Sequence, residues 1–240
     1  MKKAIPVLFW LLVWQLIAMI VHNKILLAGP VETLSALIGL AFTVDFWISV
    51  GNSLLRILLG FVCGVAGGVL CGYAAGRSSI AKAFLTPLFQ TFRSVPVASF
   101  VILLLIWFGN RNISVLITMI VTMPILYHST LEGMEATDEK LLEMCKVYRV
   151  GEKNRIRYVY LPQLYPFLTA ALKLSVGMSF KSGVAAEVIG QPLHTMGNGL
   201  YLAKIYLETA ELFAWTLTIV VLAAVCEKLL MLVLLRGTKE

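Results

Sequence analysis

Apolar and polar residues are segregated into blocks along this chain. Ala4 to Val21 is apolar apart from Gln15, and Ile57 to Gly76 carries 20 residues without a charge. Leu85 to Phe108, Ile113 to Thr130, Leu161 to Ala186 and Leu212 to Leu235 follow. A bilayer core of about 30 Å takes about 20 residues of helix, because every backbone amide in hydrocarbon must find its partner within the segment. The pattern therefore predicts an all-α membrane protein with six transmembrane helices. Pro96 lies inside the third block and lacks a backbone donor, so that helix is expected to break or restart at Val95-Pro96. Lys2-Lys3 ahead of the first block resembles a secretory signal. The apolar stretch exceeds the usual roughly 7–15 residues, so it is expected to stay as the first helix.

Gly60, Gly64, Gly68, Gly72 and Gly76 recur every fourth residue in the second block. This spacing aligns them along one helix face, where another helix can approach closely. A flexible linker would carry Ser or Asn between the glycines rather than Val, Leu, Phe and Cys.

Only Leu131 to Tyr160 is dominated by charge, with six acids and six bases. Its apolar residues Leu141, Leu142, Met144, Cys145, Val147 and Val150 recur at helical spacing, which predicts a short amphipathic helix. Gly151 offers a stop, and a second helix is expected from Glu152 to Tyr160, ending before Pro162. The whole reads as one transmembrane domain over residues 1–240, with a core at about 52–236 and a polar insert at about 131–160.

Composition agrees. Hydrophobic residues make up 59% and charged residues 14%, against roughly 45–50% and about 25% in a soluble domain. The mean hydropathy is +0.87. A net charge of +7 would suit nucleic acid or an anionic membrane surface, and the hydropathy selects the membrane. If the N-terminus is cytoplasmic, 13 of the 20 basic residues fall on the inner side: Lys2, Lys3, Arg77, Lys82, Arg93, the six of Lys140 to Arg157, Arg236 and Lys239. The outer side holds Lys24, Arg111 and Lys204. The positive-inside rule then places both termini in the cytoplasm.

Candidate chemistry is sparse. Cys63, Cys71, Cys145 and Cys226 are too scattered for a disulfide framework or a zinc site and read as small apolar fillers. His22, His128 and His194 form no His-Glu-x-x-His pair, and no Gly-x-x-x-x-Gly-Lys-Ser/Thr loop exists to cradle ATP. Ionisable groups inside a span normally face water, a partner group or a protein interior. Lys173, Lys181 and Glu187 lie roughly 16, 28 and 37 Å along the fifth helix and are candidates for a solute pathway. Lys181 and Glu187 do not share a face, so each needs a separate partner. Arg56 is placed at the outer edge of the second helix, as an anchor.

Glu143-Met144-Cys145, Arg149, Gly151 and Val159-Tyr160-Leu161-Pro162 resemble the Glu-Ala-Ala loop of binding-protein-dependent ABC importer permeases. In that family the triplet is followed after three residues by Gly, then after nine by an aliphatic residue, any residue and Leu-Pro. Counting back from Leu161-Pro162 sets Glu143 on the family glutamate without a gap. Met144 and Cys145 replace alanines, Arg149 stands where the family has glycine, and Gly151 is expected to supply the turn. Arg93-Ser94-Val95-Pro96, Trp107-Phe108-Gly109 and Lys181 to Gly190 are similar to the subgroup serving nitrate, sulfonate, taurine and thiamine-precursor importers.

The resemblance implies a type I importer permease fold in a prokaryotic inner membrane, with the insert as a cytoplasmic coupling helix ahead of the fifth span. It implies no enzymatic activity in this chain, ATP and Mg being held by a partner ATPase dimer. It also implies a second permease subunit, a homodimer being preferred to a heterodimer, an extracytoplasmic solute-binding protein, lipid contact and no nucleic acid. The ATPase would be met by Glu143, Lys146, Tyr148, Arg149, Val150, Gly151 and Glu152, with Leu161 and Pro162 closing the loop. The solute is expected to be a small anion or zwitterion. The alternatives are an ion-coupled secondary transporter, an intramembrane enzyme and a membrane scaffold. Inverted repeats would favour the first, and the two halves show no such self-similarity.

Overall fold

The computed structural model describes residues 4–23 and 25–237, which include helices and no strand. Of the basic residues used for orientation, Lys2, Lys3, Lys24 and Lys239 lie outside the described residues, as does the side chain of Arg236. Helix α1 covers Ala4–Val21, α2 Pro30–Ala41, α3 Val44–Arg77, α4 Ser79–Ser94, α5 Val97–Phe108 and α6 Ile113–Glu135. The insert holds α7, Glu139–Val147, and α8, Glu152–Arg155; after a π-helical turn at Ile156–Tyr160 come α9, Leu161–Gly190, α10, Met196–Ile205, and α11, Thr209–Gly237.

The first block and α1 coincide. The second helix starts 13 residues before the expected Ile57, at Val44. Its polar residues do not end it because they are used inside the protein: Asn52 Nδ2 donates to the His194 carbonyl at 3.0 Å, and Ser53 is hydrogen bonded within the core. Two helices lie where no block suggested them. Pro30 opens α2, and the Gly29 N–H donates to the Glu32 carboxylate at 3.1 Å. At the start of α10, Thr195 Oγ1 accepts from the Asn198 N–H at 3.2 Å.

The third block breaks where expected. Val95 is extended, Pro96 precedes α5, and α4 and α5 are bent by 102°. The second helix of the insert does not end before Pro162. It runs into α9 through the π-helical turn, in which the Leu161 N–H reaches back five residues to the Ile156 carbonyl. The widened turn relieves the clash between a proline ring and the carbonyl four residues earlier. By length and apolarity, α3, α6 and α11 qualify as spans among the described residues, and the bent α4–α5 pair makes four. Helix α9 is long enough, but it turns many serine and other polar side chains inward and fails on apolarity.

The glycine face of α3 packs against α6. A Cβ on Gly64 would stand 2.7 Å from Thr122 Cβ, on Gly68 2.5 Å from the Met123 carbonyl oxygen, and on Gly72 2.6 Å from Thr130 Cβ. Gly60 and Gly76 face Thr118 and Met134 in the same way. This face is therefore consumed within the chain and is not left for a second subunit. Helix α9 lies along α6 beside this seam, where Thr122 also shares a hydrogen bond of 2.9 Å with Ser179. Phe46, Ile57, Phe61, Phe180, Val184, Met196 and Trp215 fill the space among α3, α9, α10 and α11.

Gly68→Ala should force α3 and α6 apart and cost about 1–3 kcal/mol, the usual scale of overpacking. Gly51→Ala on the same helix, with open space around its Cβ position, should be neutral or slightly stabilising. Thermal unfolding of the two variants in detergent checks the contrast.

Candidate functional site

Two sets of residues stand out: the polar insert at one end of α9 and a buried carboxylate near its other end. In the insert, Asp138 caps α7 by accepting from the Lys140 N–H at 2.9 Å. At the far end the Arg149 N–H donates to the Lys146 carbonyl at 3.2 Å, and the Val150 N–H to the Cys145 carbonyl at 2.9 Å. These paired bonds define a Schellman ending, which needs a left-handed residue between them. Arg149 takes that conformation, with φ 50°. The turn is thus made at Arg149, where the resembling family carries glycine. Gly151, expected to supply it, is extended with φ −61° and ψ 152° and precedes α8.

The inner side of the insert is fastened. Cys145 is buried, as the filler reading expected, and Leu142 packs on a cluster of Met134, Tyr160 and Leu164. Glu152 Oε1 accepts from the Tyr73 hydroxyl at 2.7 Å, and Glu152 Oε2 meets Arg77 at 3.4 Å as well as Arg155. The outer side is open: Met144, Val147 and Tyr148 are 49%, 77% and 76% exposed. Glu143, Lys146, Arg149, Leu161 and Pro162 are exposed as well, while Val150 is half-buried. The structure thus leaves most of the loop's candidates exposed, while Glu152 directs its carboxylate back to α3.

Near the C-terminal end of α9, Glu187 is fully buried. Its Oε1 accepts from the Ser114 hydroxyl at 2.9 Å; its Oε2 accepts from the Ser53 hydroxyl at 2.7 Å and the Gly197 N–H at 3.1 Å. Ser53 in turn accepts from the Met196 N–H at 2.9 Å. One carboxylate thereby ties α3, α6 and α10 to α9. Gly197 is required for this approach, since a Cβ there would overlap Glu187. Arg56, one turn from Ser53, lies within electrostatic reach of Glu187, and its Nη1 is enclosed without a hydrogen-bond partner. It is a half-buried residue well inside α3, whereas the sequence placed it at the edge of a helix.

Lys173 and Lys181 lie elsewhere on α9 and are both exposed. Lys173 Nζ stands 3.7 Å from Glu227 Oε1 on α11. Lys181 is exposed beside Gly177, Met178 and the half-buried Ala185. The three ionisable groups expected to share one pathway therefore separate into a buried tie and two exposed lysines. Ser53, Ser114 and Gly197 escaped sequence reasoning because nothing in their local pattern joins residues 53, 114, 187 and 197. A charged residue amid Val, Ala and Gly, requiring a partner, was the one available signal.

Residues 64–238 match the family described as binding-protein-dependent transport system inner membrane component. The chain is 28% identical to the putative aliphatic sulfonates transport permease protein SsuC of Bacillus subtilis (strain 168), over 84% of this chain and 74% of that one. It is 26% identical to the taurine transport system permease protein TauC of Escherichia coli (strain K12), over 89% and 80% of the two chains. It is 24% identical to the nitrate import permease protein NrtB of Synechococcus elongatus, over 75% and 68%.

Glu187→Ala leaves two hydroxyls and a backbone amide buried without an acceptor, and should destabilise the protein by about 2–5 kcal/mol. Glu187→Gln, which keeps one oxygen acceptor, should lose less in the same thermal unfolding assay. Arg149→Gly should raise stability by about 1 kcal/mol by removing left-handed strain, and Arg149→Val should lower it.

Proposed function

Since the chain belongs to the binding-protein-dependent transport system inner membrane components, the type I permeases of ABC importers, we propose that it forms half of a solute pathway driven by a separate cytoplasmic ATPase docked on the α7 insert. The observation that carries this reading is the two-sidedness of the insert. Its inner side is fixed to α3, α6 and α9, and its outer side leaves Met144, Val147 and Tyr148 uncovered next to Lys146 and Arg149. Aromatic residues, Met and Arg are the residues enriched in protein interfaces, and Met144, Tyr148 and Arg149 are of these types.

A rigid short helix joined directly to a long span suits the transfer of rigid-body movement. The ATPase dimer holds the ATP and Mg, and an extracytoplasmic binding protein delivers the solute. Two copies of this permease complete the pathway, with both termini on the cytoplasmic side. That orientation is supported by the basic residues at Arg77, Lys82, Arg93 and in the insert. The uncovered face of α9, bearing Lys181 beside Gly177 and Ala185, is the surface turned to the pathway and the second copy. Its cationic character suits a small oxyanion or zwitterion, and the names of the relatives point to sulfonate, taurine or nitrate as the class to test. An ion-coupled secondary transporter is not favoured by the family match.

Reconstitution with the cognate ATPase and binding protein tests the reading. Uptake of taurine, an alkanesulfonate or nitrate into proteoliposomes should require ATP, and ATP-independent uptake driven by an ion gradient would overturn it. Tyr148→Ala should weaken ATPase co-purification about 30-fold, the loss of about 2 kcal/mol expected of an aromatic interface anchor. Arg149→Glu should abolish it. Lys181→Ala should lower uptake while leaving ATPase binding intact.

A further inference from the structure

The insert is fastened to the rest of the protein at more than its two chain ends. Besides its covalent links to α6 and α9, it is bonded to the end of α3 through Glu152. Tyr73 and Arg77 lie one turn apart on α3, so both present their polar groups to the same carboxylate. The Tyr73 hydroxyl donates to Oε1 at 2.7 Å, while Arg77 faces Oε2 at 3.4 Å. Arg155, with only 16% of its side chain exposed, closes on Oε2 from within α8. The Tyr73 ring stands edge-on to Tyr160 of the π-helical turn, with centroids 6.2 Å apart. Nearby, Lys82 at the start of α4 pairs with Glu135 at the end of α6 at 2.5 Å.

We propose that Glu152 is a positioning residue: a strut through which the insert grips the end of α3, so that movement imposed on the insert is delivered to the glycine-packed α3–α6 pair as well as to α9. The inference rests on the docking reading for the source of the movement. Without the strut, α7 would still be joined to α6 and α9 by the chain and by the packing of Leu142 on Met134, Tyr160 and Leu164, but the insert would lose its polar hold on the end of α3. Short turns with one exposed glycine bend readily, whereas a carboxylate held by a phenol and two guanidiniums does not. An isolated exposed ion pair contributes little. Here, however, one anion serves three donors, and the tyrosine bond to it is charge-assisted. The site is built around one acidic residue in a basic neighbourhood, which directs the carboxylate of the exposed Glu152 towards α3 and Arg155.

The test uses the permease–ATPase complex, with Cys63, Cys71, Cys145 and Cys226 replaced by alanine and spin labels at Lys140→Cys, on α7 outside the docking set, and Leu70→Cys on the exposed side of α3. The inter-label distance is measured without nucleotide and after trapping with ATP and vanadate. The parental complex should keep a single distance in both states. Glu152→Ala should show a second population in the trapped state, raised about fivefold or more over the parental complex, the lower end of what a coupling between sites changes. Tyr73→Phe removes one bond but keeps the ring on Tyr160, so it tests the strut if Glu152→Ala fails to fold; it should give a smaller rise. A single unchanged distance in the folded variants, with the ATPase bound, would overturn the strut. Failure of the parental chain to retain any ATPase would count against the docking reading instead. In that case the same labels on the permease alone still decide, since Glu152→Ala should broaden the distance and an unbroadened one would overturn the inference.

Discussion

The close approach of α3 and α6 governs the arrangement of everything else. With glycine at every fourth position, the two backbones come near enough that the Met123 carbonyl would sit 2.5 Å from a Cβ at Gly68. Lipid tails are as apolar as leucine, so helices in a bilayer gain little from hiding apolar surface against each other and depend on tight packing and internal hydrogen bonds. The seam provides the first, and the bonds from α6 to α9 provide the second through Thr122–Ser179 and Ser114–Glu187. Once α3, α6 and α9 are fixed in this way, the two ends of α9 acquire their roles. One carries the insert, and the other carries the carboxylate that holds α10 in place.

The buried carboxylate and the insert illustrate opposite uses of charge. Glu187 gives up water entirely and is satisfied by three donors from three other helices, so removing it leaves several groups unpaired at once. Glu152 stays half in water and works by direction: it holds one side of a helix to the core so that the opposite side remains free. Both carboxylates read as candidate contacts for something outside the chain when seen only as charges in a sequence, and both turn out to be bonded within it.

How far the sequence reaches can be judged from particular residues. Hydrophobic blocks located α1, α6 and α11 closely, and Pro96 located the break, because these features act through their own backbone and its immediate solvent. The register of the insert, from Glu143 to Pro162, rests instead on the resemblance of its motif to the family loop. The early start of α3 was not legible, since Asn52, Ser53 and Arg56 look like interface residues until their partners at 187, 194 and 196 are known. The path through Pro162 was misread because a proline stops a regular α-helix, and only the five-residue reach of the π-helical turn lets the chain continue. The left-handed Arg149 shows a related limit: the Schellman bonds fix the backbone there whatever the side chain, so the absence of glycine did not move the turn to Gly151.

The 102° bend between α4 and α5 bears on the lipid as well as on the protein. Helix α5 has 12 residues and reaches roughly 18 Å, and α4 turns away at nearly a right angle and adds almost nothing in that direction. Helix α3, with 34 residues, reaches roughly 51 Å. Taken singly, α5 reaches far less than the roughly 30 Å of hydrocarbon, and α3 reaches more. A bilayer meets such mismatch by thinning beside the short element and by tilt of the long one. The membrane around this permease would then have two thicknesses, and its headgroup layers would come closest together beside α5.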